Sequence, residues 1–81
     1  MNVRYFAWLR ERIGAASEEI ETGAPTVGAL VDELRARGEG HASAFADTRA
    51  LRVAVDQQLA SFDAPLAGVR EVAFFPPMTG G

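Results

Sequence analysis

The stretch "APTVGALVDELRARGEG" (residues 24–40) is where the chain changes its hydrophobic period. Val27, Leu30, Val31 and Leu34 fall at i, i+3, i+4 and i+7, which lines one face of a helix with apolar side chains. Thr26, just after Pro25, suits the N-cap because its hydroxyl accepts an otherwise orphaned backbone N–H. Asp32 and Glu33 lie mid-helix, and Arg35-Ala36-Arg37-Gly38 supplies a basic last turn with a glycine at the C′ position. A helix with one apolar face must bury it against another layer. The rest of the chain shows what that layer is.

Upstream, "NVRYFAW" (2–8) alternates Val3, Tyr5 and Ala7 against Arg4, Phe6 and Trp8, the period of a strand. "LRERIG" (9–14) adds a short helical turn closed by Gly14, and "SEEIET" (17–22) reads as a second strand antiparallel to the first. Downstream, "SAFADTR" (43–49) is a short helix or an irregular loop. "ALRVAVD" (50–56) and "QLASF" (58–62) are two strands about a tight turn at Asp56-Gln57-Gln58, "DAPLAG" (63–68) is a loop, and "REVAFF" (70–75) is the last strand. One main helix on one face of a mixed sheet makes the fold class α+β. If the first and last strands pair in parallel at the sheet centre, the arrangement is a β-grasp. The domain spans residues 1–75, and residues 76–81 form an extended C-terminal Gly-Gly tail.

Composition narrows the function. The chain has 81 residues, 48% hydrophobic and 23% charged, which fits one globular domain. A net charge of −3 argues against nucleic acid as a partner, since such proteins carry a basic stripe. No apolar run approaches the length of a membrane span, and "MNVRYFAWLRER" lacks the apolar core of a signal peptide, so a cytoplasmic location without membrane contact is expected. With no cysteine, thiolate chemistry and cysteine metal sites are excluded. The single histidine, His41 in "GEGHAS", reads as a solvated loop residue, and Glu18, Glu19 and Glu21 read as a solvated strand edge. All eight basic residues are arginine.

No side-chain constellation for catalysis is present: no HExxH, P-loop or GxGxxG occurs, and one loop histidine must serve every candidate serine. What remains is the main-chain carboxylate of Gly81. Ionised at neutral pH, a terminal carboxylate can attack the α-phosphate of ATP in a partner's site and leave as an acyl-adenylate. Gly80 and Gly81 lack Cβ atoms and so fit a narrow channel. Pro76 and Pro77 favour extended backbone, and residues 78–81 span up to about 13–14 Å. The tail reads as a delivery arm.

At these residues a family likeness emerges. "VREVAFFPPMTGG" (69–81), with "RVAVDQQLASFDAPL" (52–66) and "YFAWLRERIG" (5–14), resembles the small, sulfur-carrying subunits of molybdopterin synthases, which are ubiquitin-like β-grasp proteins. Asp56 stands where that family often has Asn, a conservative change at a turn. The resemblance implies that Gly81 is adenylated by an E1-like adenylyltransferase using ATP. It also implies conversion to a thiocarboxylate with sulfur from a separate donor. The tail, Pro76, Pro77, Met78, Thr79, Gly80 and Gly81, would enter the large subunit of a heterotetramer and donate sulfur to precursor Z, forming the dithiolene of molybdopterin. The chain would bind no cofactor or metal and would not be an enzyme alone, the catalytic residues belonging to the large subunit.

Alternation places Phe6, Trp8 and Phe75 on the helix-free face with Leu59 nearby. Phe6, Leu59 and Phe75 also match contact positions of the family, so these four are the expected partner interface. Two related roles share the glycine pair: a sulfur carrier of the thiamine type, and a ubiquitin-like protein modifier. Lacking Lys, the chain cannot build lysine-linked chains on itself.

Overall fold

The computed structural model describes residues 1–77; Met78, Thr79, Gly80 and Gly81 lie outside the described residues. Among the described residues nine elements follow one another: β1 (Asn2–Tyr5), α1 (Trp8–Ile13), β2 (Ser17–Glu19), α2 (Val27–Arg35), α3 (Glu39–Ala44), a 3₁₀ turn (Thr48–Ala50), β3 (Arg52–Val55), β4 (Gln58–Ala60) and β5 (Glu71–Phe75). The five strands form one mixed sheet in the order β2-β1-β5-β3-β4. β1 and β5 pair in parallel, Val3 opposite Val72 and Tyr5 opposite Phe74, while the other pairs are antiparallel. The first and last strands thus meet at the sheet centre, the β-grasp arrangement.

α2 buries the four side chains its spacing singles out: Val27, Leu30, Val31 and Leu34 join one core with Val3, Tyr5, Val53, Val72 and Phe74 of the sheet. Burying each such side chain is worth about 1.5–3 kcal/mol, so this layer contact dominates the stability. Thr26 caps the helix by accepting from the Ala29 N–H at 3.2 Å. The Val27 and Gly28 N–H groups donate to the Ala64 and Phe62 carbonyls, tying the helix start to the loop after β4. The end differs from the expected one. The final turn tightens, with Ala36 N–H to Glu33 O and Arg37 N–H to Leu34 O. Such i→i−3 bonds close a helix, so α2 stops at Arg35 and Gly38 instead precedes α3.

β1 is shorter than its alternation suggests. After Phe6 N–H donates to Phe74 O, Ala7 turns to φ 55° and the chain enters α1, which buries Leu9. Ala7 is therefore exposed rather than directed at the core. Gly14 ends α1 at φ 89°, a left-handed conformation that glycine adopts without steric cost. Between β3 and β4, Asp56 and Gln57 both take positive φ (48° and 69°), the two-residue hairpin turn whose twist matches the strands. The Asp56 carboxylate accepts from the Arg70 and Glu71 N–H groups at 3.0 and 2.9 Å, and its own N–H donates to Glu71 O. One acidic side chain thereby fixes both the hairpin and the entry to β5.

Candidate functional site

β5 carries the core residues Val72 and Phe74 on one face and Glu71, Ala73 and Phe75 on the other. The register assembles that second face. Ala73 lies opposite Arg4 of β1 and Ala54 of β3, and Ala54 in turn lies opposite Leu59 of β4. Alanines form the floor, so a concave surface remains between the larger residues at the strand ends. It is a groove of about 620 Å³ lined by Arg4, Phe6, Ala7, Ala54, Gln57, Glu71, Ala73, Phe75, Pro76 and Pro77. Pro76 and Pro77 are half-buried in its wall, so the groove reaches the root of the tail.

Its polar rim is organised. The Arg4 guanidinium sits 5.1 Å from the centre of the Phe6 ring and 3.9 Å from the Glu71 carboxylate. A cation over a ring face is attracted by its quadrupole, so Arg4 bridges the Phe6 ring and the Glu71 carboxylate along the groove. Phe6 is 39% exposed and Leu59 74%, the two large apolar residues most open to solvent among the described residues. Leu59 extends the apolar surface along the Ala73–Ala54 row onto the edge strand.

Of the four residues expected at the interface, the structure brings Phe6 and Phe75 together in the groove and places Leu59 on the edge strand β4, with β3 between it and β5. The strand-face placement expected of Trp8 is corrected. The break at Ala7 removes it from the strand, and it opens α1, packs against the core and carries the Arg12 guanidinium 4.6 Å from its ring. Trp8 is not among the groove residues. Arg4 and Glu71 are, and the sequence signal for them is their alternation with Val3 and Val72. The tail residues Met78, Thr79, Gly80 and Gly81 fall outside the described residues.

A second cluster overturns the expectation for His41 and Glu18. His41 belongs to α3, its side chain is only 13% exposed, and its Nε2 lies 2.7 Å from Glu18 Oε2. The same oxygen accepts the Tyr5 hydroxyl at 2.6 Å, and Arg37 approaches Oε1 at 3.7 Å. Because an ionised carboxylate only accepts, His41 presents its Nε2–H to it. Burial pushes the Glu18 carboxyl up, but the hydrogen bonds from His41 and Tyr5, with the charges of His41 and Arg37, outweigh it and hold the group below the usual carboxylate range. Burial, then the bond to Glu18, drives the Tyr5 hydroxyl up, so it stays a neutral donor. Glu18 therefore clasps β1, β2 and α3 together. Glu19 and Glu21 are exposed, as expected of a strand edge. Among the described residues no group of His, Asp and Glu side chains is placed to hold a metal ion, and no helix is long and apolar enough to cross a membrane.

Comparison with known proteins matches residues 3–81 to the ThiS family. The chain is 44% identical over 81 residues to the molybdopterin synthase sulfur carrier subunit of Escherichia coli K12, and 36% identical to that of Haemophilus influenzae. In both cases the match covers 100% of this chain and 99% of the relative. Among solved structures it superposes on a putative molybdopterin converting factor, subunit 1, from Pyrococcus furiosus. There the TM-score is 0.73 and the identity 27%, with 95% of each chain covered. It also superposes on the small archaeal modifier protein 1 of Haloferax volcanii, with TM-score 0.73, 25% identity, and coverage of 96% of this chain and 97% of that one.

Proposed function

The chain belongs to the ThiS family, and we propose that it is the sulfur-carrier subunit of a molybdopterin synthase. The observation that carries this reading is the end-to-end 44% identity with a protein of that name. The groove at the tail root supports it, because a carrier must dock a surface while presenting its terminus. In this reading an E1-like enzyme uses ATP to adenylate the Gly81 carboxylate, and sulfide from a donor displaces AMP to leave a thiocarboxylate. Phe6, Phe75 and Leu59 dock on the large subunit, and Pro76, Pro77, Met78, Thr79 and Gly80 lead Gly81 into its site. Sulfur then passes to precursor Z.

The chain binds no cofactor of its own; ATP belongs to the activating enzyme. It contributes no catalytic side chain, so catalysis falls to the large subunit, with which it forms a cytoplasmic heterotetramer. The likeness to an archaeal modifier favours one second reading, attachment to lysines of other proteins. A thiamine-type carrier would share the activation and differ in acceptor.

The test is deletion of Gly81. It moves the acyl carbon back by about 3.3–3.6 Å, where a misplacement of about 1 Å already costs about 100-fold in rate. The docking surface is untouched. Expected are loss of thiocarboxylate formation and of molybdopterin yield from precursor Z, with affinity for the large subunit within a few-fold of the parent. Full yield from the shortened chain would overturn the mechanism. A product joined to lysines, with no thiocarboxylate, would favour the modifier.

A further inference from the structure

The groove beside β5 is apolar over most of its lining, and its charge is a single ion pair, Arg4 and Glu71. The pair is loose. Arg4 Nη1 lies 3.9 Å from Glu71 Oε1, against about 2.7–2.9 Å for a charge-assisted hydrogen bond, so it leaves guanidinium N–H donors to water. Register explains the gap: Arg4 sits opposite Ala73 and Asn2 opposite Glu71, so the two charges meet only on a diagonal. Arg4 is also the more open of the two, 47% exposed against 23% for Glu71. Exposed Arg52, opposite Phe75, adds a second cation to this face of the sheet. Arg70 and Asp56 lie beyond Glu71, where Asp56 Oδ1 is taken up by two backbone N–H groups. A chain of net charge −3 thus sets a slight excess of positive charge around this groove.

We propose that Arg4 is the charged recognition contact of the groove, taking a carboxylate from the large subunit: an Asp or Glu side chain with apolar residues on either side of it. This rests on the carrier reading above. Docking strips water from the lining, and a guanidinium cannot shed its charge by losing a proton. N–H donors left dry and unpaired cost affinity, so the partner must supply acceptors where Arg4 presents donors. A carboxylate does this best, because its two oxygens match the planar fork of the guanidinium. The floor leaves room for it, since Ala73 and Ala54 continue the row that Arg4 begins and neither fills the hollow. Phe6, with its ring centre 5.1 Å away, and Glu71 already engage the guanidinium, so less side-chain freedom remains to be lost on binding. Phe6, Phe75 and Leu59 offer contact to any apolar surface of the right shape. Arg4 decides which of those surfaces is accepted.

The test measures binding of the full chain to the molybdopterin synthase large subunit by surface plasmon resonance, for the parent, Arg4→Met and Arg4→Lys. Methionine keeps an unbranched stem on the sheet and removes the charge together with the cost of drying it. Arg4→Met is expected to bind about 10-fold or more weakly, with the loss in faster dissociation, and Arg4→Lys to fall between it and the parent. Replacing the acidic residues of the large subunit by alanine, one at a time, should find one that weakens the parent about 10-fold or more but the Arg4 variant by about 2-fold or less. Melting curves check the fold of both variants, and this scan is read on whichever keeps it. Equal or tighter binding by folded Arg4→Met refutes the inference and leaves the carrier reading standing. A loss confined to the association rate, which is the behaviour of a steering charge on the rim, refutes it as well, and so does a scan that finds no coupled acidic residue. A parent that does not bind the large subunit at all removes the carrier reading, and this inference with it.

Discussion

The Glu18 clasp gives a prediction whose size and pH dependence both follow from geometry. Glu18→Gln keeps the side-chain length and one acceptor oxygen but removes the charge. In the parent, one carboxylate oxygen receives Tyr5 at 2.6 Å and His41 at 2.7 Å. Hydrogen bonds to a charged group contribute about 1.5–3 kcal/mol, against about 0.5–1.5 for neutral ones. Converting two from charged to neutral therefore costs about 2–3 kcal/mol at neutral pH. Domains of this size have about 4–12 kcal/mol in total, and each kcal/mol moves the melting temperature by about 4–8 °C. A fall of about 8–24 °C is expected.

The pH dependence separates this cause from simple misfit. Glu18 has its folded pKa held below its unfolded value. Its contribution is fully present above the unfolded value of about 4.3 and is lost as pH falls through the folded one. Thermal melts of parent and Glu18→Gln followed by circular dichroism should thus differ fully at neutral pH and converge as pH falls below the unfolded value and through the lower folded one. A gap that is absent at pH 7, or that persists undiminished at low pH, refutes the charge-based account.

Three further outcomes are expected. Leu34→Ala removes a side chain with no solvent exposure from the face of α2 and should cost about 2–5 kcal/mol; a urea midpoint that barely moves would contradict the packing described. Gly40→Ala should destabilise by about 1–3 kcal/mol through overpacking, because its methyl would press on the Arg12 carbonyl oxygen where α3 crosses α1, and an unchanged melting temperature would show that the two helices separate freely. Phe75→Ala should weaken binding of the large subunit by about 10- to 100-fold, the worth of about 1.5–3 kcal/mol for one buried phenyl ring. Calorimetric titration with unchanged affinity would remove Phe75 from the interface.

What the sequence discloses about this molecule depends on the range over which each feature is determined. The α2 face and the alternation of β3 and β5 are local periodicities, each legible within about ten residues, and together with the parallel first and last strands they imply the sheet and the groove side. The limits of β1 were illegible for an equally local reason. Val3 to Tyr5 alternates and Phe6, Ala7 and Trp8 continue as strand-forming or apolar residues, yet one residue at positive φ, Ala7, ends the strand and carries Trp8 away from the face its parity assigns. Alternation reports which side a residue would take if the strand continued; it carries no information on whether it does. Glu18 and His41 were hidden more deeply, being 23 positions apart and joined only because α3 folds against the β1–β2 edge. Neither residue's neighbours distinguish a solvated carboxylate or a loop imidazole from a clasp. Periodic burial can therefore be read from sequence ahead of structure, whereas a polar contact between separate elements becomes readable only once the apolar layers have set the two backbones side by side.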